Sequence, residues 1–183
     1  MAHYTTASSR PILVGRLLGK GGEGEVFQVT GNGDQVAKVY WPSHRTSQRQ
    51  YKLQAMLDNP PEDNTRRLTP PHVSIAWPLD LLYDRQQFVG FLRPRIDQSP
   101  TIFTIFNPVL RGRRYPSCDW RYLHRTDGNL ATAINAFHAR GYVVGDVNQK
   151  NVLVTSNAMV TWVDTDSFQV PDATGRNRGQ VYR

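Results

Sequence analysis

The chain has 183 residues, of which 39% are hydrophobic and 20% charged, enough for one domain or for two small lobes that share a core. The charged residues are well mixed, which excludes wholesale disorder, and the single cysteine, Cys118, excludes an intrachain disulfide or a cysteine-ligated zinc site. The net charge is +7, but its arginine clusters are not interleaved with aromatic residues, so a nucleic-acid groove is not favoured. The first ten residues lack a signal-peptide core and no apolar run approaches the ~20 residues of a membrane helix, so we expect a cytoplasmic protein.

The first third of the chain predicts strands over residues 12–19, 25–30 and 35–40. The second and third are separated by Gly31-Asn32-Gly33-Asp34, a strong turn signal because Gly and Asn tolerate positive φ. Two more strands are predicted over residues 80–83 and 87–92, which gives five strands in all.

One helix is predicted between these strands, over residues 47–57, and Asn59-Pro60-Pro61 stops it. Its spacing assigns four residues to the buried face, namely Tyr51, Leu53, Met56 and Leu57.

The second half of the chain predicts an irregular stretch, a long helix and a hairpin. Residues 97–117 contain three prolines and are expected to be irregular. Asp119 is expected to cap a helix that runs to about Arg140 and ends at Gly141. Residues 152–154 and 159–163 then predict a short β-hairpin.

A glycine-rich motif, GKGGEGEV, occupies residues 19–26 and fits G-x-G-x-x-G-x-V between two strands. Glycines let the backbone approach phosphates closely and donate N–H groups to them. A strand follows the last glycine, which favours a kinase-type loop over a dinucleotide-binding one. The alternative is an ordinary glycine-rich hairpin tip. The predicted nucleotide contacts in this motif are Gly19, Lys20, Gly21, Gly22, Glu23, Gly24 and Val26.

A lysine motif follows on the third predicted strand, where Val36-Ala37-Lys38-Val39 resembles V-A-I-K. Lys38 is predicted to pair the phosphates of a nucleotide, with Ala37 as a further contact. The alternative is an exposed strand lysine, which is the commoner case for any single lysine.

Two further motifs carry carboxylates. Residues 145–151, GDVNQKN, resemble the catalytic loop H-R-D-L-x-x-x-N, in which Asp146 would take the proton of the acceptor hydroxyl and Asn151 would hold a metal ion. Asp164 follows the strand 159–163, where kinases place the magnesium-binding Asp of D-F-G. The alternatives are a polar loop and a turn aspartate. All four motifs occur in kinase order on the expected elements.

On these motifs the chain resembles the eukaryotic-like protein kinases over almost its whole length. Residues 141–148 and 164–170 are similar to one bacterial branch, often encoded near PPM-type phosphatases and von Willebrand A-type proteins. The resemblance implies an α+β fold, with a small ATP-binding lobe of five antiparallel strands and one helix at residues 1–93. Residues 94–183 would form a connector and a partial, mainly helical large lobe, ending before the remaining large-lobe helices.

The resemblance also implies an activity and its partners. ATP and Mg²⁺ would be the cofactors, and the acceptor would be a Ser or Thr of a protein substrate in bacterial signalling. A phosphatase or a von Willebrand A-type protein would belong to the same pathway.

Several positions depart from the kinase pattern. Val144 and Gly145 replace the His and Arg of H-R-D, while Thr165 and Asp166 replace the Phe and Gly of D-F-G. We interpret Asp166 as a solvated loop charge, with a second metal ligand as the alternative.

The usual glutamate partner of the lysine is also missing, since no Glu lies between Lys38 and Glu62. Gln54 or Asp58 would have to substitute for it.

Three other functions compete with a protein kinase. The departures favour a nucleotide-binding pseudokinase that acts as a signalling scaffold, and the same motifs tolerate a small-molecule kinase. The charge alone supports a basic nucleic-acid-binding module.

Overall fold

The computed structural model describes residues 2–171, which divide into two compact units. Residues 2–60 and 77–95 form the first unit, and residues 61–76 and 96–171 form the second. This division differs from the predicted single boundary at residue 93, because the segment 61–76 packs with the second unit.

Six antiparallel strands close into a barrel in the first unit, in the order β1-β2-β3-β4-β6-β5. They span Ala2–Thr6 (β1), Pro11–Lys20 (β2), Gly24–Val29 (β3), Gln35–Tyr40 (β4), Asp80–Asp84 (β5) and Gln87–Pro94 (β6). The prediction of five strands was therefore wrong. The missed strand, β1, is short and carries no clear apolar alternation, and it forms because it pairs with both β2 and β5.

The barrel closes around a hydrophobic core. Its buried members are Ile12, Val14, Val29, Ala37, Val39, Leu82, Val89 and Leu92. Two glycines let the neighbouring strands approach β4 closely. A Cβ atom at Gly24 would collide with the Val39 carbonyl, and one at Gly90 would collide with the carbonyl of Lys38.

Helix α1 spans Ser47–Asp58, and Thr46 caps it by accepting a bond from the Arg49 amide at 3.2 Å. Leu53 and Met56 are fully buried, as predicted. The assignment of Tyr51 to the buried face was wrong, because its side chain is 69% exposed and the neighbouring Lys52 faces inward instead.

The second unit contains three helices and a hairpin, namely Ile102–Phe106 (α2), Pro108–Arg114 (α3), Trp120–His138 (α4), Val152–Val154 (β7) and Val160–Trp162 (β8). The prediction that residues 97–117 are irregular was therefore wrong, because α2 and α3 lie within them. Asn107 begins α3 by accepting bonds from the amides of Val109 and Leu110 at 3.1 and 3.0 Å, and Pro108 fits the first helical position.

The segment 61–76 lies beside β8. Ile75 bridges Trp162 in parallel register, and the Ala76 amide donates to the Trp162 carbonyl at 2.9 Å. The Asp63 carboxylate orders this segment by accepting bonds from the amides of Thr65 and Ser74 at 3.2 and 2.9 Å.

Helix α4 is attached to the hairpin turn through Tyr122. Asp119 caps the helix as predicted, by accepting from the Tyr122 amide at 2.9 Å. The Tyr122 hydroxyl donates to the Thr155 carbonyl at 2.6 Å. Within residues 2–171, none of the helices has both the length and the apolar character to cross a membrane.

Burial, with Cys118 as a second cause, raises the pKa of Tyr122 from 10.0 to about 12. Between these two values the unfolded chain loses the Tyr122 proton while the folded chain keeps it, so stability is lost as the pH rises through this window. We expect Tyr122→Phe to flatten the alkaline decline of the unfolding free energy, measured in urea at pH values from about 9 to 12. Tyr51→Phe, at an exposed tyrosine, is the matched control. Equal declines in both variants would contradict the prediction.

Candidate functional site

The glycine-rich loop forms the tip of the β2–β3 hairpin. The Gly21 amide donates to the Gly24 carbonyl at 2.9 Å and closes the tip. A Cβ atom at Gly19 or Gly22 would have no neighbour within 4 Å, and one at Gly21 would make only an ordinary contact. The packing of the hairpin therefore does not require these three glycines, and the space above them is open to a ligand.

Trp41 fastens this loop to the end of β4. Its backbone amide donates to the Glu23 carbonyl at 2.9 Å, and its indole Nε1 donates to the Gly21 carbonyl at 3.1 Å. Lys20 lies over the same indole ring, with its ammonium 5.0 Å from the centroid, and pairs with Glu25 at 3.7 Å. Trp41, which the sequence analysis had missed, therefore holds the loop through the carbonyls of Gly21 and Glu23.

Lys38 is not an exposed strand lysine. Only 8% of the residue is exposed, and its ammonium lies 5.6 Å from the centroid of the Tyr40 ring. The Lys38 Nζ atom is 3.6 Å from Glu23 Oε2, and the other oxygen, Glu23 Oε1, accepts a bond from Arg49 Nη2 at 2.8 Å. A carboxylate of the glycine-rich loop therefore pairs with the lysine.

The predicted helix partners of Lys38 take other roles. Asp58 Oδ1 accepts a bond from Gln54 Nε2 at 2.9 Å on the exposed face of α1. The position of Arg49 was also missed. A glutamate inside the glycine motif, followed by a helix with a basic first turn, was the signal available in the sequence.

The remaining predicted contacts of the first unit separate into two groups. Val26 lies directly opposite Lys38 in the β3–β4 register, so the two side chains share one face of the sheet. Ala37 alternates to the other face and is fully buried in the barrel core. The structure therefore does not bring Ala37 together with Lys38.

The catalytic-loop motif in the second unit joins its two predicted functional residues. Asn151 Nδ2 donates to Asp146 Oδ2 at 3.3 Å. Asn148 orders the turn between them, because its side chain accepts from the Lys150 amide and its carbonyl accepts from the Asn151 amide, both at 2.9 Å. Asn148 therefore stabilises the loop from within.

Asp164 is linked to the same loop through the backbone. The Val163 amide donates to the Asn151 carbonyl at 2.8 Å, so Asp164 follows directly on a residue tied to Asn151. Asp164 has left-handed backbone angles, φ 60° and ψ 39°, and its carbonyl accepts the Ser167 hydroxyl at 2.9 Å. Asp146, Asn151 and Asp164 thus belong to one hydrogen-bonded assembly.

Gly145 allows this assembly to pack closely. A Cβ atom at this position would lie 2.5 Å from the Ser167 carbonyl oxygen. Two residues away on each segment, Val143 and Gln169 exchange backbone hydrogen bonds of 3.2 and 2.8 Å. A larger residue, such as the arginine of H-R-D, does not fit this backbone approach.

The residues after Asp164 replace the D-F-G packing with a different set of contacts. Thr165 is buried and donates to the Ala76 carbonyl at 3.0 Å. Phe168 is fully buried in edge-to-face contact with Phe137, at a centroid distance of 4.8 Å. The interpretation of Asp166 as a solvated charge was wrong, since only 9% of this residue is exposed.

The donor atoms present fit a hard divalent cation. Among residues 2–171, no group of three or more His, Cys, Asp or Glu side chains is arranged to hold a metal. Asn151 donates to Asp146 through its amide nitrogen, so its amide oxygen can face a metal ion. Asp164, which follows the strand bonded to this loop, contributes an exposed carboxylate. Oxygen donors of this kind suit Mg²⁺.

Comparison by sequence finds bacterial relatives. No protein-family model matches the chain. The chain is 33% identical over 167 residues to protein kinase YegI of Escherichia coli O157:H7 and 32% identical to that of strain K12. Each match covers 90% of this chain, and the chain spans about a quarter of the length of these curated relatives.

Comparison by structure finds kinases. Vaccinia related kinase 3 is 14% identical with a TM-score of 0.67, over 97% of this chain and 55% of that one. The ROP18 kinase domain, in complex with AMP-PNP and sucrose, is 13% identical with a TM-score of 0.61, over 95% and 57%. ROP2 from Toxoplasma gondii, described as having a protein-kinase fold and no enzymatic activity, is 16% identical with a TM-score of 0.57, over 97% and 57%. At these identities the likeness shows the fold alone, and the predicted protein kinase-like fold is confirmed.

Gly145→Ala should destabilise the second unit, because the new methyl group would force the Ser167 backbone away from the loop. We expect a loss of about 1–3 kcal/mol in unfolding free energy, measured by chemical denaturation. Gly112→Ala is the matched control, since its Cβ atom meets open space on helix α3 and alanine favours a helix. A Gly145→Ala variant as stable as the control would contradict the close packing.

Proposed function

We propose that this chain, which carries a bacterial kinase-like domain, transfers the γ-phosphoryl group of ATP to a Ser or Thr hydroxyl of a protein substrate, with Mg²⁺ required. The first unit would contribute phosphate binding through the glycine-rich loop and Lys38. The second would contribute the general base Asp146 and the metal ligands Asn151 and Asp164. The linked placement of Asp146, Asn151 and Asp164 is the observation that carries this proposal.

Phosphate binding rests on the open glycine tip and the buried cation. With no side chain at Gly21 or Gly22, the phosphates can approach the backbone. Lys38 brings a positive charge that is shielded from water, where its attraction for a phosphate is stronger than at an exposed position.

Proton transfer is assigned to Asp146. Its Oδ2 atom accepts a bond from Asn151, which fixes the carboxylate so that Oδ1 is available to the acceptor hydroxyl. The hydroxyl oxygen forms a bond to the γ-phosphorus, the bond to the β-phosphate oxygen breaks, ADP leaves, and the hydroxyl proton passes to Asp146. When bound, Mg²⁺ neutralises phosphate charge, and Asn151 and Asp164 would hold it.

A pseudokinase scaffold is the second candidate function. The altered positions 144–145 and 165–166 favour it. That a phosphatase or a von Willebrand A-type protein belongs to the same pathway remains a prediction from the resemblance. A small-molecule acceptor is also compatible with the residues that carry the proposal.

Nucleotide binding is tested first by thermal unfolding with ATP, with and without Mg²⁺. A ligand that binds the folded state alone stabilises it by about 2.7 kcal/mol at one hundred times its Kd. We expect a Mg²⁺-dependent rise in the midpoint that is lost in Lys38→Ala and in Asp164→Ala. Asp58→Ala is the matched control and should keep the rise, because Asp58 pairs with Gln54. No rise in the wild-type chain would favour a scaffold without a nucleotide site.

Phosphotransfer is tested with Asp146→Asn, which keeps the shape of the side chain but not its basicity. We expect phosphorylation of a protein substrate by radiolabelled ATP to fall by a factor of roughly 10² to 10⁴, with the ATP-dependent midpoint retained. Unchanged phosphorylation in this variant would contradict the role of Asp146.

A further inference from the structure

Glu23 lies between two cations in the first unit. One oxygen of its carboxylate is 3.6 Å from Lys38 Nζ on strand β4, and the other accepts a 2.8 Å bond from Arg49 Nη2 on helix α1. The guanidinium of Arg49 also lies over the Tyr40 ring, 4.6 Å from its centroid. The glutamate therefore connects the glycine-rich loop, the central strand and the helix at one point.

The burial of these groups explains why a carboxylate is needed here. The side chains of Lys38 and Arg49 are only 10% and 20% exposed, so two cations approach each other in a partly dehydrated environment. An anion between them offsets both the desolvation cost and the mutual repulsion. Helix α1 brings no glutamate, and its only acid, Asp58, is bonded to Gln54.

We propose that Glu23 is a positioning residue that orients Lys38 for catalysis, and that Arg49 holds Glu23 in place. The loop thus supplies the carboxylate that the kinase pattern places on the helix, and the helix supplies a cation that holds this carboxylate. This inference rests on the proposed phosphotransfer function and deepens it.

The arrangement couples the glycine-rich loop to helix α1. The carbonyl of Glu23 is already held by the Trp41 amide, so its side chain starts from a fixed backbone position. A shift of helix α1 would move Arg49, and the bond to Glu23 would transmit that movement to the loop and to Lys38.

The kinetic test compares Glu23→Gln, Arg49→Gln and the double variant. Because Glu23 and Arg49 act as one unit, we expect each single change to lower kcat by roughly tenfold and the double variant to be no worse than the poorer single one. The KM for ATP should stay within about threefold, since the loop glycines and Lys38 are unchanged in each variant. Arg49→Lys, which keeps the charge, should recover most of the loss.

Exposed Glu62 and Arg67, which pair at 3.3 Å in the second unit, provide the matched control. Glu62→Gln and Arg67→Gln should leave kcat unchanged. A rise in kcat for Glu23→Gln would overturn the proposal, because Glu23 would then compete with the phosphates. Unchanged kcat would overturn it too, because the contact would be an incidental ion pair.

Unfolding midpoints without nucleotide separate this proposal from the proposed function. If the wild-type chain transfers no phosphoryl group, the proposed function fails. The unfolding midpoints of the same variants then test whether Glu23 and Arg49 act as one unit. A double variant that loses no more than the poorer single variant supports the Glu23–Arg49 unit. Additive losses in the Glu23 and Arg49 variants overturn it, whereas Glu62→Gln and Arg67→Gln, at an exposed ion pair, should each lose little stability.

Discussion

A lysine ammonium buried on the face of strand β4 that lies opposite the barrel core sets the main constraint on the first unit. Lys38 lies on β4, whose neighbours approach so closely that Gly24 and Gly90 admit no side chain against it. The Lys38 side chain is only 10% exposed, and an anion beside a cation that is withdrawn from water offsets part of its desolvation cost. Glu23 brings that anion from the hairpin tip. The ion pair between Glu23 and Lys38 therefore ties the glycine-rich loop to strand β4.

In the second unit, several polar groups are held together on short loops. Backbone bonds do most of this, because the Val163 amide and the Asn151 carbonyl join the catalytic loop to the segment that carries Asp164. Gly145 allows the two loops to approach, and Phe168 anchors the second loop in an aromatic cluster with Phe137.

The departures from the kinase pattern fall on supporting positions. Gly145 and Thr165 make specific contacts with the Ser167 backbone and with the carbonyl of Ala76, so these two replacements have a structural reason. The groups proposed to act on phosphate and hydroxyl keep their chemical types. A chain can in this way change how its loops are held and still keep the same reacting atoms.

The sequence by itself determined most of the elements and the order of the motifs. Turn residues, caps and periodicity are local signals, and they located β2 to β8, α1 and α4 because each acts over a few residues. Strand β1, the pairing of Glu23 with Lys38 and Arg49, and the burial of Asp166 depended on tertiary contacts between segments far apart in the chain. Local patterns carry no information on which distant carboxylate meets a buried cation, and only the closed barrel and the packed loops decided that.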